Sequence, residues 1–311
     1  MNYLGLDLGG TSIKGAVVTE AGEILREASR LTHAERGATA VVGEIAALMY
    51  QLAEGETFAG VGLGCPGTVD DESGKVLYSC NLDWMDFDLR GALEQRSGYR
   101  VRLVNDANAA ALGEALAGAA KGAQSAVILT LGTGVGGGVV LDGRMLVGYT
   151  GAASELGHMV IESEGEPCSC GRRGCFETYA SATALIRMTK EAMAAHPESR
   201  MHAVAERLGG VDGRVAFTAK AEGDEAAAAV VDTYVHYLAI GVTNVINIFF
   251  PEVVAFSGGV ANQGEALLAP LREQVRRASY GSAYAKKHVR LVPCTLGYRA
   301  GMIGAALLAK T

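Results

Sequence analysis

Three cysteines and one histidine crowd into Ser154–Tyr179, which reads SELGHMVIESEGEPCSCGRRGCFETY. His158 followed by Cys168, Cys170 and Cys175 spells H-x9-C-x-C-x4-C, one imidazole and three thiolates, the closed tetrahedral ligand set of a structural zinc site. Reduced thiols without a metal and a redox pair are the alternatives, although a bridge from Cys168 to Cys170 would be strained across one residue. Glu155 and Glu177 flank the cluster. A metal would fix these two carboxylates relative to each other without using either as a ligand, and fixed carboxylates suit a polyhydroxylated ligand.

Two glycine corners offer a second chemistry. Tyr3–Leu8 alternates, reaches Gly9-Gly10-Thr11 and resumes as Ile13–Val18, the pattern of a β-hairpin. Bare amides at such a corner can approach a phosphate, Thr11 adds a hydroxyl, and Asp7 could hold a metal-bound water beside it. From Ser125 the pattern recurs: AVILTLGTGVGGGVVLDGRMLVG is strand, glycine-rich corner, strand and turn. Its formal G-x-G-x-x-G at Gly132, Gly134 and Gly137 is not read as a dinucleotide site, because a β-branched strand follows where that fingerprint needs a helix. The chain looks duplicated, with two opposed corners able to grip one triphosphate across a cleft. A third strand-then-glycine corner, Ser257-Gly258-Gly259-Val260, suits close approach by a flat ligand such as a purine.

Asp106 is the candidate for proton transfer. Arg100–Val104 reads as a strand that delivers Asn105-Asp106 at its tip, and ANAAALGEALAG continues as an alanine-rich helix. Asp and Asn are preferred helix N-caps, so on local grounds cap and catalytic base both stay open. Gly64-Cys65-Pro66-Gly67 forms a rigid turn at the end of a short strand over Phe58–Leu63, and Asn81-Leu82-Asp83-Trp84 reads as a loop anchored by its aromatic.

Elements that must carry these residues follow from periodicity. Helical spacing marks Ala38–Ala53, Ala182–Ala195, Arg200–Arg207, Leu267–Ala278 and a long core helix over Glu225–Phe250 stopped by Pro251, with a small-residue-rich terminal helix over Leu296–Ala309. Strands are expected over Val76–Ser79, Glu252–Phe256 and Val289–Val292, and Leu208–Arg214 as a polar connection.

Composition narrows the partners. The chain has 311 residues, 49% of them hydrophobic, enough for two ordinary domains. Its 42 glycines are close to twice the usual share of about 7%. A net charge of -7 without a basic run argues against nucleic acid or an anionic membrane as partner. No apolar run nears the roughly 18 residues of a membrane span, and MNYLGLDLGG lacks the features of a signal peptide, so a cytoplasmic protein is expected.

Together these motifs resemble the ROK family (repressor, open reading frame, kinase) of sugar kinases, within the superfamily of actin, hexokinase and the heat-shock ATPases. The resemblance spans nearly the whole chain. LDLGGTSIKGA is similar to that family's first phosphate motif, LTLGTGVGGG to the second and SGGV to the adenosine motif. The most specific piece is E-x-G-H followed by C-x-C-G-x-x-G-C-x-E, met by Glu155, Gly157, His158, Cys168, Cys170, Gly171, Gly174, Cys175 and Glu177. The pair Tyr298-Arg299 departs from the small or acidic pair common in relatives.

The resemblance implies an α/β, two-lobed, actin-like (ribonuclease H-like) fold with the active site in the interlobe cleft. It implies a smaller lobe of 1–117 plus 298–311 and a larger one of 118–297 carrying the zinc. Sugar-binding positions fall on Gly67, Asn81, Asn105, Asp106, Glu155, His158 and Glu177, with Asp106 as general base. ATP-binding positions fall on Asp7, Gly9, Gly10, Thr11, Lys14, Gly132, Thr133, Gly134, Gly258 and Gly259. Mg²⁺ accompanies ATP, and structural Zn²⁺ is held by His158, Cys168, Cys170 and Cys175. The implied reaction is phosphoryl transfer from ATP to the 6-hydroxyl of a hexose, a solvated Asp106 needing no tuning to accept the proton.

Glucose leads as acceptor. N-acetylmannosamine, N-acetylglucosamine, fructose and allose are the alternatives, and relatives commonly form dimers or tetramers. A sugar-sensing repressor of the same family carries an N-terminal helix-turn-helix, whereas only Met1 and Asn2 precede the first strand here, so that reading is disfavoured.

Overall fold

The computed structural model describes residues 1–149, 153–281 and 287–310. The alternating segments fold as the expected hairpin: β1 (Asn2–Leu8) and β2 (Ser12–Thr19) pair antiparallel from Asn2↔Thr19 to Leu8↔Ile13. β3 (Ile24–Leu31) extends the sheet beside β2. α1 (Ala38–Ala53) has the bounds its periodicity predicts, burying Val41, Ile45, Leu48, Met49 and Leu52. β4 (Val61–Cys65) is wholly buried and parallel to β1.

A small antiparallel sheet follows, of β5 (Thr68–Asp70), β6 (Lys75–Ser79) and β7 (Trp84–Asp88). The Asn81–Trp84 loop thus ends inside a strand, with the buried Trp84 ring 4.8 Å from Phe87. α2 (Leu89–Ser97), capped by the Asp88 carboxylate, is not marked in the sequence, because only Leu89 and Leu93 are buried and no apolar stripe forms. β8 (Val101–Asn105) then leads without a break into α3 (Asp106–Leu116).

The second half repeats the plan. β9 (Ser125–Leu131), β10 (Val135–Leu141) and the short β11 (Arg144–Met145) come first. Then come α4 (Glu177–Ala180), α5 (Ala182–Ala195), α6 (Met201–Leu208), α7 (Val215–Ala221) and α8 (Glu225–Phe249). β12 (Val253–Ser257), α9 (Glu265–Ala278), β13 (Arg290–Pro293) and α10 (Ala300–Leu308) complete the chain. The first sheet has the order β3-β2-β1-β4-β8 and the second β11-β10-β9-β12-β13, the same arrangement twice.

Internal contacts divide the chain into a first unit of 1–127, 138–154 and 294–311 and a second of 128–137 and 155–293. Relative to a division at 117/118 and 297/298, the first unit also takes the start of β9, most of β10, β11 and the segment before Gly297. In the first unit α10 lies on β1 and β4 backbone to backbone: a Cβ on Gly5 would collide with the Met302 carbonyl, and one on Gly62 with that of Ala305. Small residues are required there because the helix replaces side-chain packing with close approach.

The terminal helix starts later than expected. Gly297 adopts φ 56, a left-handed conformation that breaks the helix, so a single 3-10 turn (Gly297–Arg299) precedes α10. α8 is long and apolar enough to cross a bilayer. It is a core helix instead: Val230, Tyr234, Leu238, Val242 and Val245 are buried, and the Tyr234 hydroxyl donates to the Ala180 carbonyl at 2.6 Å.

Candidate active site and metal centre

Both glycine corners are braced through their carbonyls. In the first unit the buried Thr32 donates its hydroxyl to Gly9 O at 2.6 Å and its amide to Thr11 O at 2.9 Å. In the second, the Ala182 amide donates to Gly132 O at 2.8 Å and the Thr183 hydroxyl to Thr133 O at 2.7 Å. Among the described residues the amides of Gly10, Thr11, Thr133 and Gly134 make no hydrogen bond. Fixed carbonyls with uncommitted amides form an anion-binding concavity. Neither Thr32 nor Thr183 is singled out by sequence, since a lone threonine carries no signal of what it braces.

Around the first corner the unit gathers further predicted residues. A Cβ on Gly10 would lie 3.6 Å from the Asn81 carbonyl oxygen. Asn105 caps α3: its Oδ1 accepts from the amides of Ala107 and Asn108 at 3.0 and 3.1 Å, while its Nδ2 donates to Gly67 O at 3.0 Å. Asp106 is therefore not the N-cap: Asn105 takes that place and Asp106 is the first helical residue. Lys14 stands opposite Asp7 in the hairpin register, its ammonium 5.3 Å from the Tyr298 ring centroid. Tyr298 and Arg299 both bind Glu27, at 3.2 Å and at 2.9 and 3.0 Å, so that pair anchors the turn before α10.

Asp106 is not the freely solvated carboxylate expected. It is half-buried, and that burial raises its pKa against the opposing pull of the Ala107 amide, which donates to Oδ1 at 2.8 Å. Asp7 is pushed up to about 6, first by burial and then by the Asp106 carboxylate, with Lys14 opposing. A Cβ on Gly301 would sit 3.0 Å from the Asp7 carboxyl, so the first turn of α10 is bare where that group lies.

Glu114 holds this turn in place and is missing from the predicted set. It is 2% exposed, and its carboxylate accepts from the amides of Leu296 at 2.7 Å, Ala119 at 2.9 Å and Thr295 at 3.0 Å. The available signal is that Glu114 is the sole charged residue across Ala107–Ala117.

In the second unit the His158–Cys175 segment closes on itself. Cys168 N donates to Arg172 O at 2.8 Å, Gly174 N to Glu166 O at 2.8 Å and Phe176 N to Met159 O at 2.7 Å. One donor atom from each of His158, Cys168, Cys170 and Cys175 lies within 4.8 Å of the others. Cys170 Sγ and Cys175 Sγ are 3.6 Å apart, and Cys168 Sγ is 3.7 Å from His158 Nδ1. A tetrahedral zinc with bonds of about 2.3 Å spaces its sulfurs by about 3.8 Å, whereas a disulfide needs about 2.05 Å. The four residues fit the metal and not a bridge.

Glu177, at the start of α4, lies beside this set, its Oε1 3.7 Å from His158 Nδ1 and 3.1 Å from Cys168 Sγ. A Cβ on Gly134 would come 2.6 Å from Glu177 Oε2, so the second glycine corner abuts the zinc loop. Glu155 is exposed at the start of the 3-10 turn that ends in His158. Gly258, at φ 88, presses on the Leu131 backbone, while a Cβ on Gly259 would meet nothing within 4 Å. The third corner is therefore held from one side and open on the other.

Two sheets of the same strand order, each with a braced glycine corner between its first two strands in sequence, define an α/β protein of the actin-like sugar-kinase class. The chain belongs to the ROK family, whose model matches residues 3–311. It is similar to a glucokinase of Thermotoga maritima, 40% identical over 311 residues that cover 100% of this chain and 98% of that protein. A ROK family glucokinase from Streptomyces griseus, solved in complex with glucose and AMPPNP, is 36% identical with a TM-score of 0.78, covering 100% of this chain and 99% of the other. The ROK hexokinase from Thermus thermophilus is 36% identical with a TM-score of 0.81, over 100% and 98%.

Proposed function

We propose that this protein is an ATP-dependent hexokinase that transfers the γ-phosphoryl group to the 6-hydroxyl of glucose. One observation carries the reading: in each unit a phosphate-type corner abuts a residue of the sugar set, Gly10 beside Asn81 and Gly134 beside Glu177. A phosphoryl donor and a polyol acceptor have to meet at such a junction. The full-length similarity to glucokinases supports glucose as the acceptor.

Asp106 accepts the proton of the 6-hydroxyl. Burial raises its pKa, which strengthens it as a base. Asn105 carries the helix cap and holds Gly67, so the Asp106 side chain is not tied to that role. Asn81, Asn105, Glu155, His158 and Glu177 bind ring hydroxyls, and Gly67 closes the turn over them. With Nδ1 facing the thiols, His158 keeps Nε2 for a sugar hydroxyl, and zinc bonding fixes that tautomer.

Gly9, Gly10, Thr11 and Lys14, with Gly132, Thr133 and Gly134, bind the phosphates, and Gly258 and Gly259 receive the adenosine. Mg²⁺ bound with ATP supplies charge neutralisation for the phosphates. Asp7 orients the solvent around it. His158, Cys168, Cys170 and Cys175 hold structural zinc, and thiolate ligation of this kind supports a reducing compartment such as the cytoplasm.

The test is ADP release with MgATP and a panel of hexoses, compared by kcat/KM. Glucose should give the highest value. Sugar-independent ADP release, or none with any hexose, would sink the reading, and a higher value for an acetamido sugar, fructose or allose would reassign the acceptor.

A further inference from the structure

Within the second unit, the end of α8, the last turns of α9 and the edge strand β13 enclose a cavity of about 410 Å³. It shares no residue with the site described above. Its volume is within the range of small-molecule sites, about 300–1,000 Å³.

The floor is apolar: Ile246, Val275 and Leu291 are almost fully buried, and Val289 and Phe250 complete it. Phe250 ends α8 at φ 42 and ψ 55, a left-handed position usually filled by glycine or asparagine. The residue is 57% exposed. A bulky aromatic kept in a strained conformation with its ring uncovered indicates a contact made by that ring, since helix termination alone would favour glycine.

The rim is cationic in a chain whose net charge is -7. Arg272 and Arg276 are already paired, with Glu265 at 2.6 Å and Glu273 at 2.8 Å. Lys287 and Arg290 form no ion pair with any described residue, and no described carboxylate lines the cavity; Glu252 lines the adjoining groove. Uncommitted cations around an apolar floor are complementary to one kind of ligand, with an apolar body and an anionic head.

We propose that this cavity binds a small amphipathic anion, an aromatic or short aliphatic body carrying one carboxylate, sulfonate or phosphate. The body lies on Val275, Leu291 and the Phe250 ring, and the head pairs with Lys287 and Arg290.

Anilinonaphthalene sulfonate is a suitable probe, titrated by fluorescence into the full chain with and without saturating glucose and MgATP. The expected result is saturable binding of one probe per chain, unchanged by either substrate. Lys287→Glu combined with Arg290→Glu should weaken it at least 10-fold. Phe250→Gly should weaken it several-fold while raising Tm, because glycine relieves the backbone strain; a purely structural role would give no loss of binding. The proposal is overturned by binding that never saturates, that either substrate displaces, or that both variants leave intact. It is equally overturned if sedimentation shows the chain associating with itself through this face, with the probe excluded as the dimer forms.

Discussion

Asn105 Nδ2 donates to the carbonyl of Gly67 at 3.0 Å while the same side chain caps α3 through Oδ1. One residue thus joins the helix that begins with Asp106 to the Gly64–Gly67 turn. Asn105→Ala removes the cap and the bond to Gly67 and should cost about 1 kcal/mol from the lost cap, roughly 2 °C in Tm for a chain of this size. Asn105→Asp keeps the acceptor and loses the donor. Scanning calorimetry with glucose titration should show near-normal stability but weakened sugar binding for the Asp variant; equal effects of the two would contradict the division of labour.

Asp106→Asn keeps shape and removes the proton acceptor. We expect kcat to fall by about 10²–10⁴-fold, with zinc content unchanged. Coupled ADP assays and metal analysis check this. Substantial residual turnover would exclude Asp106 as the base.

Removal of zinc tests the metal centre. Structural zinc contributes on the order of 10–16 kcal/mol in isolated finger peptides, so Cys170→Ser or chelation should disorder the loop that carries Glu155, His158 and Glu177. Cys170 is the exposed cysteine of the four-residue cluster. Calorimetric titration should show glucose affinity lost first and MgATP affinity little changed; parallel loss of both would mean the metal supports the whole unit.

Glu114→Ala leaves the amides of Ala119, Thr295 and Leu296 without their acceptor. Unsatisfied buried donors cost about 1–3 kcal/mol each, and partial relaxation should bring the total to about 3 kcal/mol in urea unfolding. Glu114→Gln should cost less, since one carbonyl oxygen remains. A loss below 1 kcal/mol in the alanine variant would show that water replaces the carboxylate.

Asp7 sets a pH dependence of opposite sign for stability and activity. With its folded pKa at about 6, above the ordinary 3.8, the folded state binds the proton more tightly. In metal-free protein that stabilisation is complete below the unfolded value and is lost as pH rises through about 6. Turnover needs the ionised form, so kcat/KM should fall on acidification below about pH 6. Thermal melts and rates of wild type and Asp7→Asn across this window check it: the variant should melt at a less pH-dependent temperature.

Much of the site was legible because its signals are local. The H-x9-C-x-C-x4-C spacing closes within one loop, so the grouping of these four donor atoms follows from the chain alone. α1 and α5 have the bounds their apolar periodicity predicts, because a helix buries residues three and four apart. The glycine corners were visible since a hairpin turn demands them. Two expectations failed where tertiary contacts override local preference: the terminal helix starts at Ala300 rather than Leu296, and Asp106 is half-buried rather than solvated.

What the tertiary structure alone decided is which of these features touch. Glu114 binds Leu296 across 182 residues and Asn105 binds Gly67 across 38. The proximity of Gly10 to Asn81 and of Gly134 to Glu177 appears in no sequence window. The amino-acid order carried the chemistry of each residue, since donor atoms, charge and turn propensity are properties of short segments. Adjacency between remote segments depends on burial in a shared core, so only the folded chain could bring Gly10 to Asn81 and Gly134 to Glu177.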